Sequence, residues 1–213
     1  MTSDLPSWVA IVPVKSFARA KSRLGRDDLT WPFLQDAVAA LKHTPSVRAI
    51  AIATSDPQVR QWATDVGCDV VSDVGHDGIN AAIGHAADSV RLTYGPDQPL
   101  FAMVSDLPCL TPAAVEALLT AAMNFDTSFL ADADGTGTTS WCTRSPRPVT
   151  THFGLASREA HAASGAIDLV DTSVARQREA LAPARRDVDT VDDLAQALTL
   201  GVGPATLAAL ART

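Results

Sequence analysis

Three observations predict an α/β fold, a mainly parallel sheet with helices on both faces in a single domain over residues 1–213. Short apolar runs alternate with longer amphipathic stretches along the whole chain. Several of the runs are apolar on both faces, as strands must be when helices cover each side of a sheet. No proline- or serine-rich linker and no internal repeat divides the sequence.

The elements follow in order. The β-branched run "WVAIVPV" (8–14) is the first strand, and "WPFLQDAVAALKH" (31–43) repeats its apolar residues at helical spacing. "AIAIAT" (49–54) is the second strand. Asp56-Pro57 then gives a helix cap with proline at the first helical position, and Gly67 sits where that helix should stop. "CDVVSD" (68–73) is a strand and "INAAIGHAADSVRLTY" (79–94) a helix. "LFAMVSD" (100–106) is a strand, followed by a second cap-proline pair, Thr111-Pro112, opening a helix over 111–123. "SFLADAD" (128–134) is the fifth strand, and Thr190 reads as the cap of a helix beginning at Val191.

Composition narrows the function. A chain 46% hydrophobic and 19% charged can build a core, and with aromatics at only 5% that core must come from Ala, Val, Leu and Ile. The formal charge of −7 argues against nucleic-acid binding or a membrane-surface role. Three scattered cysteines without C-x-x-C spacing suggest reduced thiols in a cytoplasm. The start lacks a basic signal region and no run is long enough to span a bilayer, so a soluble cytoplasmic protein is expected.

In parallel α/β sheets, ligands bind beyond the carboxyl ends of the strands. Three loops should face that edge. The first carries Lys15, Arg19, Lys21 and Arg23, a cluster of cations suited to a polyphosphate in an otherwise acidic chain. It is neither a P-loop nor a G-x-G-x-x-G loop. The second loop carries Asp106, a carboxylate at the exit of an apolar strand. Thr111 already supplies the next helix cap, which leaves Asp106 with no evident structural task. The third, "DADGTGTTS" (132–140), offers backbone N–H groups and the Thr138 and Thr139 hydroxyls to an anion.

Late in the chain "RRDVDTVDDL" (185–194) supplies more acid. Asp192 and Asp193 fit the first turn of a helix. A short strand is read over Asp187 to Asp189, and at most one of its two carboxylates is expected to meet Asp106 directly. Two carboxylates converging to ~4 Å repel by roughly 4 kcal/mol at an effective dielectric near 20. A divalent cation removes that cost, and Mg²⁺ favours one or two carboxylates with waters and phosphates. A metal-bridged phosphate site is therefore expected. Gly154 precedes Ser157, read as a helix cap, where a small acidic substrate could dock. Gly78 and Asn80 open another helix; Asn80 is read either as a simple cap or as reading a nucleobase.

Taken in order, "AIVPVKSFARAKSRL", "DGINAA", "SDLPCLTP", "DADGTGTT", "HFGLAS" and "RRDVDT" resemble the guanylyltransferases of coenzyme F-420 biosynthesis. That resemblance implies a Rossmann-like nucleotidyltransferase fold shared with the molybdenum-cofactor guanylyltransferases. The tail and the "DGTGTT" form look like the actinobacterial branch. The implied reaction joins GTP and phosphoenolpyruvate to give enolpyruvyl-diphospho-5'-guanosine and pyrophosphate. It also implies that Asp106 and Asp187, with Asp189 as the competing candidate, hold Mg²⁺. Thr139, Gly154 and Ser157 would hold the acceptor acid. Lys15, Lys21 and Arg23 would meet the phosphates, Lys21 acting in catalysis with the two aspartates, and Gly78 and Asn80 would lie near the base. The chain departs from the family in a shorter segment from Leu24 to Trp31, a longer one from Gly165 to Arg185, and Val191 in place of a proline.

The competing expectations are 2-phospho-L-lactate or 3-phosphoglycerate as acceptor, a molybdopterin-type transferase, and a non-catalytic nucleotide-binding protein. The molybdopterin enzymes carry a glycine-rich first loop that "PVKSFARAK" lacks. Expected partners are the two substrates and an enzyme receiving a labile product. A homodimer is the default for soluble oligomers, with a monomer equally compatible.

Overall fold

The computed structural model describes residues 7–15 and 24–212. The sites expected at Arg19, Lys21 and Arg23 lie outside the described residues.

Strands β1 (Trp8–Pro13), β2 (Val47–Ala53), β3 (Asp69–Val71) and β4 (Leu100–Met103) are all parallel, and β1 lies between β2 and β4. β5 (Thr127–Ala131), β6 (Thr138–Thr143) and the two-residue β7 (Ile167–Asp168) complete one sheet, in the order β3-β2-β1-β4-β6-β5-β7. β6 runs antiparallel to both β4 and β5, while β5 and β7 are parallel. The expected mainly parallel sheet is therefore present, with one reversed strand inside it.

Helices cover both faces because β1 is apolar on both. Trp8, Ala10 and Val12 pack with α1 (Thr30–Lys42), α2 (Pro57–Asp65) and α4 (Pro112–Ala122). Val9 and Ile11 pack on the other side with Ile83, Ala86, Ala87 and Val90 of α3 (Ile79–Tyr94). Each fully buried side chain of this kind contributes ~2 kcal/mol. The short helices α5 (Ser157–Ala163), α6 (Leu169–Thr172) and α7 (Ala175–Leu181) follow β6, and α8 (Val191–Leu200) and α9 (Pro204–Leu210) end the chain.

The cap signals hold. The Asp56 carboxylate accepts from the N–H groups of Gln58 and Val59, and Thr111 Oγ1 accepts from Ala114 N at 3.1 Å. Thr190 and Asp193 form a reciprocal capping box at the start of α8. Gly67 follows α2 with φ +73°, a conformation that costs glycine little.

Three expectations are corrected. "DADGTGTTS" is not simply a loop, because residues from Thr138 onward form β6. No strand forms at Asp187–Asp189, which is irregular backbone. Ser157 is the first residue of α5 and not its cap; that position belongs to Ala156, in the left-handed region at φ 54°.

A third, smaller apolar cluster joins Leu24, Leu29, Phe33 and Cys109 to Val188, Leu194 and Ala197. It fastens the C-terminal segment under the loop that follows β4. Buried Asp36 of α1 accepts hydrogen bonds from Ala205 N and Thr206 N, both 2.9 Å, and so caps α9. Gly203 N donates to Pro108 O at 2.8 Å.

Candidate active site

The strand order turns back between β1 and β4, and a cleft of about 670 Å³ opens there. Its walls come from the carboxyl ends of β1 to β4 and the start of α3, and they include Lys15, Asp73, His76, Gly78 and Asp106. Lys15 is exposed at this cleft. Gly78, at φ +90°, precedes α3 and leaves its wall without a side chain. His76 is the one aromatic ring among the described lining residues. Its ring stacks on His85 at 4.0 Å and 12°, which fixes the plane it offers. Asp73 Oδ1 is buried with no hydrogen-bond partner among the described residues.

Asp106 lies three residues beyond the end of β4. Its Oδ1 is likewise buried and without a partner among the described residues. Its main-chain carbonyl accepts from Val188 N at 3.1 Å, which draws Asp187 and Asp189 to either side. Burial first, then the Asp187 and Asp189 carboxylates, push Asp106 up to about 7. Asp187 is pushed up to about 6, mainly by burial, with its own backbone N–H opposing and Asp132, Asp189 and Asp193 adding repulsion. Asp187 is half-buried and Asp189 exposed, so Asp187 is the one enclosed with Asp106.

Two crowded carboxylates and an orphaned buried oxygen are the environment a cation would relieve. Among the described residues no three His, Cys, Asp or Glu side chains are grouped closely enough to hold a metal by themselves. A cation there would rest on the Asp106 and Asp187 carboxylates and would take its remaining ligands from water or a bound phosphate.

The sequence reading missed Asp132. Its carboxylate accepts from Thr136 N (2.9 Å) and Gly137 N (2.7 Å), so those N–H groups brace the loop and are not offered to an anion. The hydroxyls assigned to an anion are also engaged. Thr138 Oγ1 meets His161 Nδ1 at 3.0 Å, and Thr139 Oγ1 donates to Ala184 O at 2.7 Å with the side chain fully buried. Arg185 was missed too: its guanidinium donates to the carbonyls of Ala131 and Asp132, joining the acidic segment to the end of β5. The signal was available, since a long cation beside a proposed ligand needs an acceptor.

Gly154 (φ +131°) and the exposed Leu155 lead to Ala156 and the buried Ser157. Asn80 is not part of the cleft wall. Its carboxamide is bound to residues 151–153, accepting from Thr151 Oγ1 and Phe153 N and donating to Phe153 O. His161, also missed, is fully buried, and its Nε2 accepts from His152 N at 2.8 Å. Burial, then the neighbouring His152, lower it to about 4.

The His161 shift has a pH consequence. An unfolded imidazole protonates near 6.5, the folded one near 4, so acid favours the unfolded chain. This contribution is complete above pH ~6.5 and declines by up to about 3 kcal/mol as pH falls towards 4. Urea unfolding of His161→Gln should show a shallower loss of stability than the parent over that window. Parallel curves would contradict the assignment.

Known proteins resemble this chain over most of its length. Residues 22–168 match the MobA-like NTP transferase domain. The phosphoenolpyruvate guanylyltransferase of Streptomyces coelicolor is 41% identical, covering 96% of both chains. That of Streptomyces scabiei is 43% identical, again over 96% of each. Among solved structures, 4-diphosphocytidyl-2C-methyl-D-erythritol synthase superposes with a TM-score of 0.59 at 11% identity, over 92% of this chain and 99% of that one. A candidate nucleotide-diphospho-sugar transferase from Desulfovibrio desulfuricans G20 gives 0.60 at 18%, over 98% and 95%. These two establish the fold alone. By its domain match and its near full-length identity to curated members, the chain belongs to the phosphoenolpyruvate guanylyltransferases of the MobA-like NTP transferase family.

Proposed function

We infer that this protein joins GTP to phosphoenolpyruvate and releases pyrophosphate, as a step of coenzyme F-420 biosynthesis. The observation that carries the chemistry is Asp106, buried in the wall of the cleft between β1 and β4, with the Asp187 carboxylate near enough to act on it. The pathway rests on the six ordered motifs, and the acceptor on the names of the relatives.

The cleft has the volume of a small-ligand site. The base would stack on His76, and the orphaned Asp73 oxygen suits the N–H donors on the guanine edge. Gly78 lets the ligand approach the main chain. Lys15, with Lys21 and Arg23 close after it in the sequence, would meet the triphosphate. Asp106 and Asp187 would hold Mg²⁺, with Asp189 at the exposed rim; when bound, the ion supplies positive charge for the triphosphate. The acceptor would lie against Gly154 and Ser157. Thr139, with its hydroxyl bound to Ala184 O and its carbonyl to Val104 N, is held within β6 and is left out of this acceptor contact.

A phosphate oxygen of the acceptor attacks the α-phosphorus of GTP in line. That oxygen is already anionic at neutral pH, so no general base is needed. The residues have to bring two polyanions together and offset their charge. The test is pyrophosphate release from GTP and Mg²⁺ with phosphoenolpyruvate, 2-phospho-L-lactate and 3-phosphoglycerate in turn, with products weighed by mass spectrometry. Phosphoenolpyruvate should react best. Release with another acid alone would change the acceptor, and silence with all three would overturn the transferase reading.

A further inference from the structure

We propose that Asn80 and His161 are positioning residues that together hold the acceptor loop in register with the nucleotide cleft, and that Asn80 does not read the base. The proposal rests on the reading of Gly154–Ser157 as the acceptor site.

The geometry is a grip from two sides. Asn80 is the second residue of α3, the helix whose Gly78, Ile79 and Ala82 line the cleft. Its Oδ1 accepts from Thr151 Oγ1 and from Phe153 N, both 2.8 Å, and its Nδ2 donates to Phe153 O at 3.0 Å. The carboxamide thus acts as a peptide group would in a neighbouring strand, pairing both main-chain atoms of Phe153. Its carbonyl is saturated, and its direction is set by the loop and not by the cleft. From the other side, His161 Nε2 accepts from His152 N. The neutral ring therefore carries its proton on Nδ1, which donates to Thr138 Oγ1. Phe153 lies edge-on against that same ring, 5.3 Å between centroids at 79°.

Three consecutive residues are therefore fastened immediately before the loop that would take the acceptor. The loop needs such an anchor. Ala156 is the one non-glycine residue with positive φ among the described residues, a conformation costing ~1 kcal/mol that persists only where its surroundings impose it. Beyond it Arg158 N donates to Thr136 O, so the far end of the loop is tied to the loop that Asp132 braces. One polar side chain of the nucleotide helix and one of α5 thereby set where the acceptor lies relative to the triphosphate. Misplacement of a reactant by even an ångström is enough to cost about 10²-fold in rate.

The test is a division of kinetic effects. Asn80→Ala should raise KM for phosphoenolpyruvate by roughly tenfold or more, and kcat/KM for that substrate should fall at least as much. KM for GTP and the preference for GTP over ATP should stay within about twofold. Thr151→Val removes only one bond of the grip and should give a smaller shift of the same kind, which keeps the test valid if Asn80→Ala fails to fold. Amides 151–157 should exchange hydrogen faster in both variants, with α3 unchanged. A rise in KM for GTP or a lost guanine preference would overturn the proposal and make Asn80 a base reader. Unchanged kcat and KM for phosphoenolpyruvate in both variants would also overturn it, showing that these contacts serve stability only. A parent protein inert with every acceptor would defeat the functional reading instead; amide exchange and calorimetric GTP affinity would then score the grip alone.

Discussion

Asp106→Asn is expected to lower turnover by on the order of 10³-fold or more while raising thermal stability in cation-free buffer by about 1 kcal/mol. The two effects have one cause. The folded chain holds a carboxylate oxygen away from water, without a partner among the described residues and beside Asp187 and Asp189. An amide of the same shape removes the charge that burial and its neighbours oppose. It also removes the charge that would hold Mg²⁺. Addition of Mg²⁺ should therefore raise the melting temperature of the parent and leave that of the variant unmoved. A variant that keeps turnover within tenfold of the parent, or still responds to Mg²⁺, would take Asp106 out of the metal site.

Gly203→Ala should destabilise the fold by about 3 kcal/mol. The reason is space alone, since this glycine has an ordinary φ of −70°. A Cβ there would lie 2.3 Å from Cγ and 2.4 Å from Oδ1 of Asp36, whose carboxylate is fixed by the N–H groups of Ala205 and Thr206. Either α9 or the Asp36 side chain must move. If α9 moves, the bond from Gly203 N to Pro108 O goes with it, and the loop bearing Asp106 loosens. Asp36→Ala alone should cost ~1–2 kcal/mol through the lost cap. The double variant should lose less than the sum, because the clash needs both partners. Additive urea midpoints would show that the steric account is wrong.

Much of the frame was legible because its signals are local. Asp56-Pro57, Thr111-Pro112 and Thr190 each cap the helix they announce, because a short polar side chain before an apolar period satisfies nearby N–H groups whatever the tertiary context. Asp106 stood out for the opposite reason, a charge with no local task, and its Oδ1 has no partner among the described residues. β6 was hidden by its hydroxyl-rich sequence "TTSWCT" behind two glycines. Its β-branched threonines fit a strand as well as a loop, and only pairing with both β4 and β5 decides between them. The bonds of Asn80 were not legible because a carboxamide at a helix entrance says nothing of what it faces. Its partners lie far along the chain at Thr151 and Phe153. His161 and Arg185 were missed likewise, since each serves a backbone that only the fold brings near, whereas Asp132 bonds N–H groups four and five residues on, a turn aspartate that local sequence could have announced.

The bond from Val188 to the Asp106 carbonyl also has a bearing on the order in which the protein is made. All the described residues lining the nucleotide cleft lie between Pro13 and Asp106, so that wall leaves the ribosome early. The second carboxylate arrives only with Arg185 to Asp189, after every strand of the sheet has been synthesised. A half-made chain thus carries a place for a nucleotide but lacks the charge that completes the acidic pair.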